Sequence, residues 1–319
     1  MPAFYYNESI EDAPGAKNCD YIRGETYMAK FILATDSGCD LSAEYCEQHD
    51  IPVLLMHYTM DGKNCTDTMR VEDQKAFYQM MEQGSVARTS AANVSDYLEF
   101  WEPLLERGLP IVHLTLGSGI SGTYQNACLA HEQFLTMHPE AAISVVDSLG
   151  ASLVYGKMVV EAAQLRDAGQ TAEECVAWLE AHKHNITPYF TTGTLEYLYR
   201  GGRVSRAGMV VARALNIWPI LNLNDLGELK VIDKCRGKKR NYEKIMNYIA
   251  EDVIDPQNQT LYVSHAAAFE EAKAFAEQVR DTIGFRDIFY SQIGATIGAH
   301  TGPGLVSLFY SGHPRKPSK

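Results

Sequence analysis

Leu114-Thr115-Leu116-Gly117-Ser118-Gly119-Ile120-Ser121-Gly122-Thr123-Tyr124-Gln125 is a turn rich in glycine and hydroxyls, preceded by an apolar run. Residues 111–116 read as a buried parallel strand and residues 123–135 as the helix that follows. A turn of this kind points backbone N–H groups beyond the strand's end, where a helix start favours negative charge. Ser118, Ser121 and Thr123 bring hydroxyls to the same place. The turn predicts an anion site in an α/β fold. Gly117, Gly119 and Gly122 also spell G-x-G-x-x-G, and Asp147 closes the next strand where a ribose-binding acid would stand. On these residues a nucleotide-dependent oxidoreductase stays open. So does a serine acyl hydrolase, with Ser121 as nucleophile and His300 as base. Against the dinucleotide reading, Ser118 and Ser121 crowd the approach to a pyrophosphate, and the unit lies in mid-chain.

Companion turns narrow the choice. A strand at 31–34 ends in Thr35-Asp36-Ser37-Gly38, and Val145-Val146-Asp147-Ser148 closes another. Arg88-Thr89-Ser90-Ala91-Ala92 precedes a helix expected over 94–107. Ligands of open α/β sheets sit beyond the carboxyl ends of the strands. Neutral hydroxyls converging there suit a small carboxylate or phosphate held without a strong countercharge. Tyr199-Arg200-Gly201-Gly202-Arg203-Val204-Ser205 reads as a flexible turn with two guanidinium groups. Ala299-His300-Thr301-Gly302-Pro303-Gly304 follows a short apolar stretch at 293–297 and offers His300 from a loop, as a donor or proton-state sensor.

Taken in order, Thr-Asp-Ser (35–37), Thr-Ser (89–90), Ser-Gly-Ile-Ser-Gly-Thr-Tyr-Gln (118–125), Val-Asp-Ser (146–148), Gly-Gly-Arg-Val-Ser (201–205), Leu-Asn-Ile-Trp-Pro-Ile-Leu (215–221) and His-Thr-Gly-Pro-Gly (300–304) resemble the DegV family. These are bacterial fatty-acid-binding proteins that serve as the acyl-carrying subunit of fatty acid kinase. The resemblance spans about 28–312. It implies a two-domain α/β fold: a parallel sheet with flanking helices in the N-terminal domain, a second α/β domain, and a lipid tunnel between them. It implies a long-chain fatty acid as ligand, its carboxylate held by Thr89, Ser90, Ser121, Gly122 and His300, with Ser118, Arg203 and Thr301 in supporting or docking roles. It further implies a separate ATP-dependent kinase subunit, and transient contact with an acyltransferase or a membrane surface as acyl phosphate moves toward phospholipid synthesis. The chain itself would be a substrate-presenting subunit, not an enzyme, with no cofactor and no metal. Two positions depart from the family pattern. Ala91-Ala92 follow the Thr-Ser pair where a proline is common, and Trp218 stands where a lysine is typical.

Composition bounds the rest. The 319 residues suffice for one large or two ordinary domains, and a formal charge of −12 argues against nucleic acid as the default partner. Residues 230–240 reverse that balance locally, with six basic side chains against Asp233. That stretch reads either as a solvated strand edge or as a docking patch for an acidic partner or anionic membrane. Seven scattered cysteines without a C-x-x-C point away from a disulfide framework and from zinc. The N-terminus lacks the basic start and apolar core of a signal peptide, and no apolar run is long enough to span a bilayer, so a cytoplasmic location is expected. The expected organisation is an extension at 1–27 taken as disordered, an N-terminal domain at 28–184 with a small hairpin near 57–68, a C-terminal domain at 185–313, and a tail at 314–319. A second hairpin is centred on Asp225-Leu226-Gly227.

Overall fold

In the computed structural model, which describes residues 29–204 and 216–315, every residue of the strand Ile111–Thr115 is buried. A strand hidden on both faces belongs in the middle of a helix-covered parallel sheet. The strands in chain order are β1 Ile32–Asp36, β2 Val53–Leu54, β3 His57–Met60, β4 Lys63–Thr66, β5 Ala87–Thr89, β6 Ile111–Thr115 and β7 Ile143–Asp147, then β8 Ile186–Thr191, β9 Ile217–Leu223, β10 Leu229–Arg236, β11 Thr260–His265, β12 Asp287–Gln292 and β13 Val306–Ser311. The first sheet has the order β2-β1-β6-β7, all parallel. Its order reverses beside β1, and the turn 117–122 leaves the carboxyl end of β6 at that level.

The second sheet runs β10-β9-β8-β13-β11-β12 and differs from the parallel sheet that strand–helix alternation suggests. Only β11 and β12 pair in parallel; the other neighbours are antiparallel. The hairpin joining β9 and β10 fixes that direction locally, because a tight turn can only link antiparallel strands. A third, small sheet, β4-β3-β5, extends the expected excursion at 57–68 by one strand. Its Asp61-Gly62 turn has positive φ at both residues, as a two-residue hairpin requires.

The helix Leu153–Asp167 joins the two large sheets. Eleven of its fifteen residues are buried, including all of Leu153–Val160, so its first two turns lie inside the protein. It packs against β1 and β6 on one side and β8 and β11 on the other. One apolar core accordingly runs from Leu33 and Val112 through Met158 to Tyr262 and Phe309. The small sheet and the helix Val71–Glu82 close over the short helix Ala295–Thr301, where the Tyr78 hydroxyl donates to the Ile293 carbonyl at 3.0 Å. Gly298 permits this approach, since a Cβ there would lie 2.6 Å from that hydroxyl. The expected extension at 1–27, Ser205, Leu215 and the last residues of the tail lie outside the described residues.

Candidate functional site

Three segments distant in sequence meet at one cavity. Thr89 ends β5, an edge of the small sheet. Ser121 and Gly122 lead into the helix Thr123–Met137. His300 sits in the last turn of Ala295–Thr301, not in a loop as its glycine-rich surroundings suggest. Thr89 Oγ1 and His300 Nε2 share a hydrogen bond of 2.6 Å across 211 residues of sequence. Ser121 Oγ and Thr123 Oγ1 lie 2.7 Å apart, and Ser121 Oγ also accepts from the Thr123 amide. Arg203 donates from Nε to the Ile120 carbonyl at 3.1 Å and from Nη1 to the Gly201 carbonyl, so its charge is turned to the backbone of the mouth.

The wall of the cavity includes Thr89, Ser90, Ser121, Gly122, Arg203, His300 and Thr301. Ser118 is absent from that wall; its amide donates to Asp147, which also accepts from Leu149. Thr296, which the sequence reading does not single out, also lines the cavity. The available signal is its spacing: it stands four residues before His300, on the same helix face. Six wall residues, Ile120, Ala151, Leu198, Leu229, Ile297 and Thr301, are shared with a second, more apolar space. That space is walled by side chains such as Val154, Pro188, Phe190, Leu223 and Phe309. A hydroxyl-lined cavity therefore adjoins an apolar space walled by strands of the second sheet and the start of the helix Leu153–Asp167.

Burial sets the electrostatics. It pushes the His300 imidazole down to about 4, with a smaller push from the Arg203 charge, so the ring is neutral at pH 7. Its Nδ1 is buried without a hydrogen-bond partner, as is the Thr301 hydroxyl. Gly201 lies so close that a Cβ there would stand 2.1 Å from this Nδ1. The mouth thus presents hydroxyls and a neutral ring to whatever enters.

The other hydroxyl-rich strand ends do not reach this cavity. Thr35 Oγ1 donates to the Leu114 carbonyl, Ser37 Oγ accepts from the Met56 amide, and Ser148 Oγ bonds within its own turn to Gly150. Asp36 accepts from the amides of Gly38 and Leu116 and from the Tyr155 hydroxyl. The expected convergence of these residues on an anion is corrected: they brace the loops that carry the site. Gly117 and Gly119 have a similar explanation. A Cβ on Gly117 would lie 2.3 Å from the Gly150 amide nitrogen, and one on Gly119 would lie 2.2 Å from the Leu226 carbonyl oxygen. Both glycines admit the chain's own backbone, which removes the reason for reading them as a pyrophosphate cradle. Ser121 hydrogen-bonds Thr123 and His300 hydrogen-bonds Thr89, an arrangement that does not pair a serine with its base.

Known proteins bear on the same chain. The DegV family model, described as an uncharacterised protein family, matches residues 30–313. A DegV domain-containing protein of Clostridium perfringens is 33% identical over 291 residues, covering 91% of this chain and all of the relative. Among solved structures, a Thermus thermophilus DegV protein described by its fatty acid binding is 27% identical, with a TM-score of 0.78 over 88% of this chain and 99% of that one. The Fak B3 protein of Streptococcus pneumoniae fatty acid kinase, solved with linoleic acid, shares the fold at 21% identity and a TM-score of 0.76, over 88% of this chain and 99% of that one.

Proposed function

This chain belongs to the DegV family, and from that membership and the site we propose that it binds a long-chain fatty acid and presents the carboxylate to a separate ATP-dependent kinase. The observation that carries the reading is the adjacency of the hydroxyl-lined mouth to the apolar interior, which share six wall residues. A fatty acid has the matching two-part chemistry. Burying its tail yields about 0.8 kcal/mol per CH₂, on the order of 10 kcal/mol for a ~16-carbon chain before ordering costs. The tail supplies affinity, and the head site decides where the carboxylate stands.

On this reading Thr89 and Ser121 donate hydroxyl hydrogen bonds to the carboxylate, aided by the amides around Gly122. Ser90 and Thr301 are further hydroxyls at the mouth, and the His300 Nε2–H donates to Thr89 Oγ1, which orients the Thr89 hydroxyl proton toward the carboxylate. Arg203 is held back by its two carbonyl partners, so no bidentate guanidinium clamp quenches the carboxylate. A carboxylate oxygen then attacks the γ-phosphorus of ATP on the kinase, the bond to the β-phosphate oxygen breaks, and ADP leaves. Positioning and charge stabilisation for that transfer come from the kinase and its metal. The acyl phosphate would be handed on in the cytoplasm toward phospholipid synthesis, through an acyltransferase or at a membrane surface. No described helix is long and apolar enough to cross a membrane.

The test is native mass spectrometry of freshly purified protein, with organic extraction of what leaves it. A stoichiometric fatty acid that the kinase phosphorylates only in the presence of this chain is the expected result. A nicotinamide or flavin nucleotide in its place would overturn the reading.

A further inference from the structure

Arg315 lies at the end of the described chain, yet it is 8% exposed. Its Nη1 donates to the carbonyls of Leu149 at 2.9 Å and Asn224 at 3.2 Å, and its Nη2 to Lys183 at 2.7 Å. Its backbone amide donates to His184. Burial lowers its pKa to about 10, while Asp225 and Asp147 favour its charge, so it remains cationic at pH 7. One buried cation thus ties together the loop after β7, the helix end near Lys183 and the tip of the β9–β10 hairpin.

That tip is a preformed unit resting on the site. The Asn224 side chain accepts from the Leu226 and Glu228 amides, and the Gly227 amide donates to the Asn224 carbonyl. Gly227 packs so closely that a Cβ would lie 2.8 Å from the Leu149 carbonyl oxygen. Gly119, two residues before Ser121, packs equally closely on Leu226. On either side of the tip, Leu223 walls the apolar interior and Leu229 walls both spaces. The hairpin is well paired within itself, but β9 meets β8 in register only at Phe190 and Leu221. Thr191 and Asn241 add side-chain bonds to the Trp218–Pro219 end of β9, far from the tip. The hairpin is therefore anchored at one end, and at the other the backbone packing of the tip on Gly119 and Leu149 is tied down by the hydrogen bonds of Arg315.

We propose that the hairpin tip at 224–228 is the movable wall of the cavity and that Arg315 is its latch. The inference rests on the fatty-acid reading above. Lifting the tip would carry Leu223 and Leu229 away from the interior and open a path for the acyl chain. A latch governs passage in both directions. Its loss should speed entry and exit together and leave the dissociation constant comparatively unmoved. A merely structural residue would lower affinity through faster exit alone.

The experiment measures association and dissociation of a fluorescent long-chain fatty acid by stopped flow in wild type, Arg315→Met and Arg315→Lys. Removing charged hydrogen bonds should raise both rates about tenfold or more in Arg315→Met, with Arg315→Lys between the two. A folded Arg315→Met with wild-type rates, or with faster exit at unchanged entry, would overturn the latch. Should Arg315→Met not fold, hydrogen exchange in the wild type decides. The Asn224 and Gly227 amides should exchange faster than those of Val263 and Leu308; equal protection refutes a movable tip. That measurement needs no ligand, so it separates failure of the latch from failure of the fatty-acid reading, which a wild type unable to bind any fatty acid would reveal.

Discussion

Ala151 is on the walls of both the hydroxyl-lined mouth and the apolar interior, so on the proposed reading it marks the neck between them. Replacing it with leucine places a branched side chain in the path that an acyl tail would follow. In wild type each methylene past the neck contributes about 0.8 kcal/mol, roughly a fourfold gain in affinity per carbon. Between chains of ~8 and ~16 carbons the accumulated gain is about 6 kcal/mol, or on the order of four decades of Kd. With the neck blocked, the longer tail has no place beyond Ala151→Leu, and this slope should flatten toward zero. The short chains, held mainly by the head site, should lose much less. Competition against a fluorescent fatty acid across an even-numbered chain series measures the slope directly, and a thermal melt on the same samples checks folding. A variant that keeps the wild-type slope would show that the tail does not pass the neck. A flat slope in the wild type would refute tail burial altogether.

Thr89→Val keeps the shape of the side chain but leaves His300 Nε2 without its hydroxyl partner and deletes one donor to a bound carboxylate. Loss of a charge-assisted hydrogen bond predicts about 1.5–3 kcal/mol weaker binding in titration calorimetry, and unchanged affinity would remove Thr89 from the head site. His113 accepts from Trp101 and is held by burial at about 3, so the unfolded chain takes up a proton there near pH 6.5 that the fold refuses. This contribution is present above pH 6.5 and lost as pH falls toward 3; Asp36, raised by burial to about 6, works in the opposite sense as pH rises through that value. Urea titrations at several pH values should therefore show His113→Gln with a stability slope shallower by up to one proton, about 1.4 kcal/mol per pH unit between pH 6 and 4, and identical slopes would disprove it. Lys238 is engaged with Glu271 and lies over the Trp218 ring, whereas Lys234, Arg236 and Arg240 line one groove on the edge strand and adjoining helix. Reversing those three charges should abolish co-sedimentation with anionic vesicles at low salt, each basic side chain being worth about 1 kcal/mol there. Persistent binding would leave the stretch as an ordinary protected edge.

The turn at 117–122 and the strand before it are legible because the apolar run at 111–116 fits a buried strand and the glycine- and hydroxyl-rich turn after it leads into a helix pattern, the order of a strand–turn–helix unit. Pattern alone could not give strand direction in the second sheet, since an apolar run has the same period in parallel and antiparallel pairing. The helix Ala295–Thr301 was hidden for a different reason. Gly298 and Gly302 read as turn residues, yet the first allows Tyr78 to pack against the helix and the second ends it at a φ of 68°. Thr35, Asp36, Ser37 and Ser148 show the limit of the pattern: a hydroxyl or carboxylate at a strand's end bonds backbone amides and carbonyls as readily as a ligand. Arg315 carried no signal at all. Its role depends on three carbonyls between 91 and 166 residues away.

Two helices contribute to the wall of the cavity, and the different treatment of their N-termini bears on where an anion can sit. At Ala295–Thr301 the Gly294 amide donates to Asp40 and the Thr296 amide to Asp67, each at 2.8 Å. Both carboxyl groups are buried, and desolvation raises both pKa values, with Asp36 and Asp67 adding repulsion at Asp40. These acids occupy the amides that would otherwise attract a ligand, so that helix contributes His300 and Thr296 but no open N-terminus. The helix Thr123–Met137 is built the other way. It has no acid in its first turn and no side-chain cap from Gly122, and the Thr123 amide meets only the Ser121 hydroxyl. A negative charge entering the mouth finds the amides of the first helix already taken and is drawn toward the second by its unneutralised amides. This asymmetry supports the carboxylate standing at Ser121 and Gly122 with Thr89 and His300 on its far side. It also explains how a chain of net charge −12 can take an anion without an arginine clamp: the acids nearest the site are already hydrogen-bonded to the protein's own backbone.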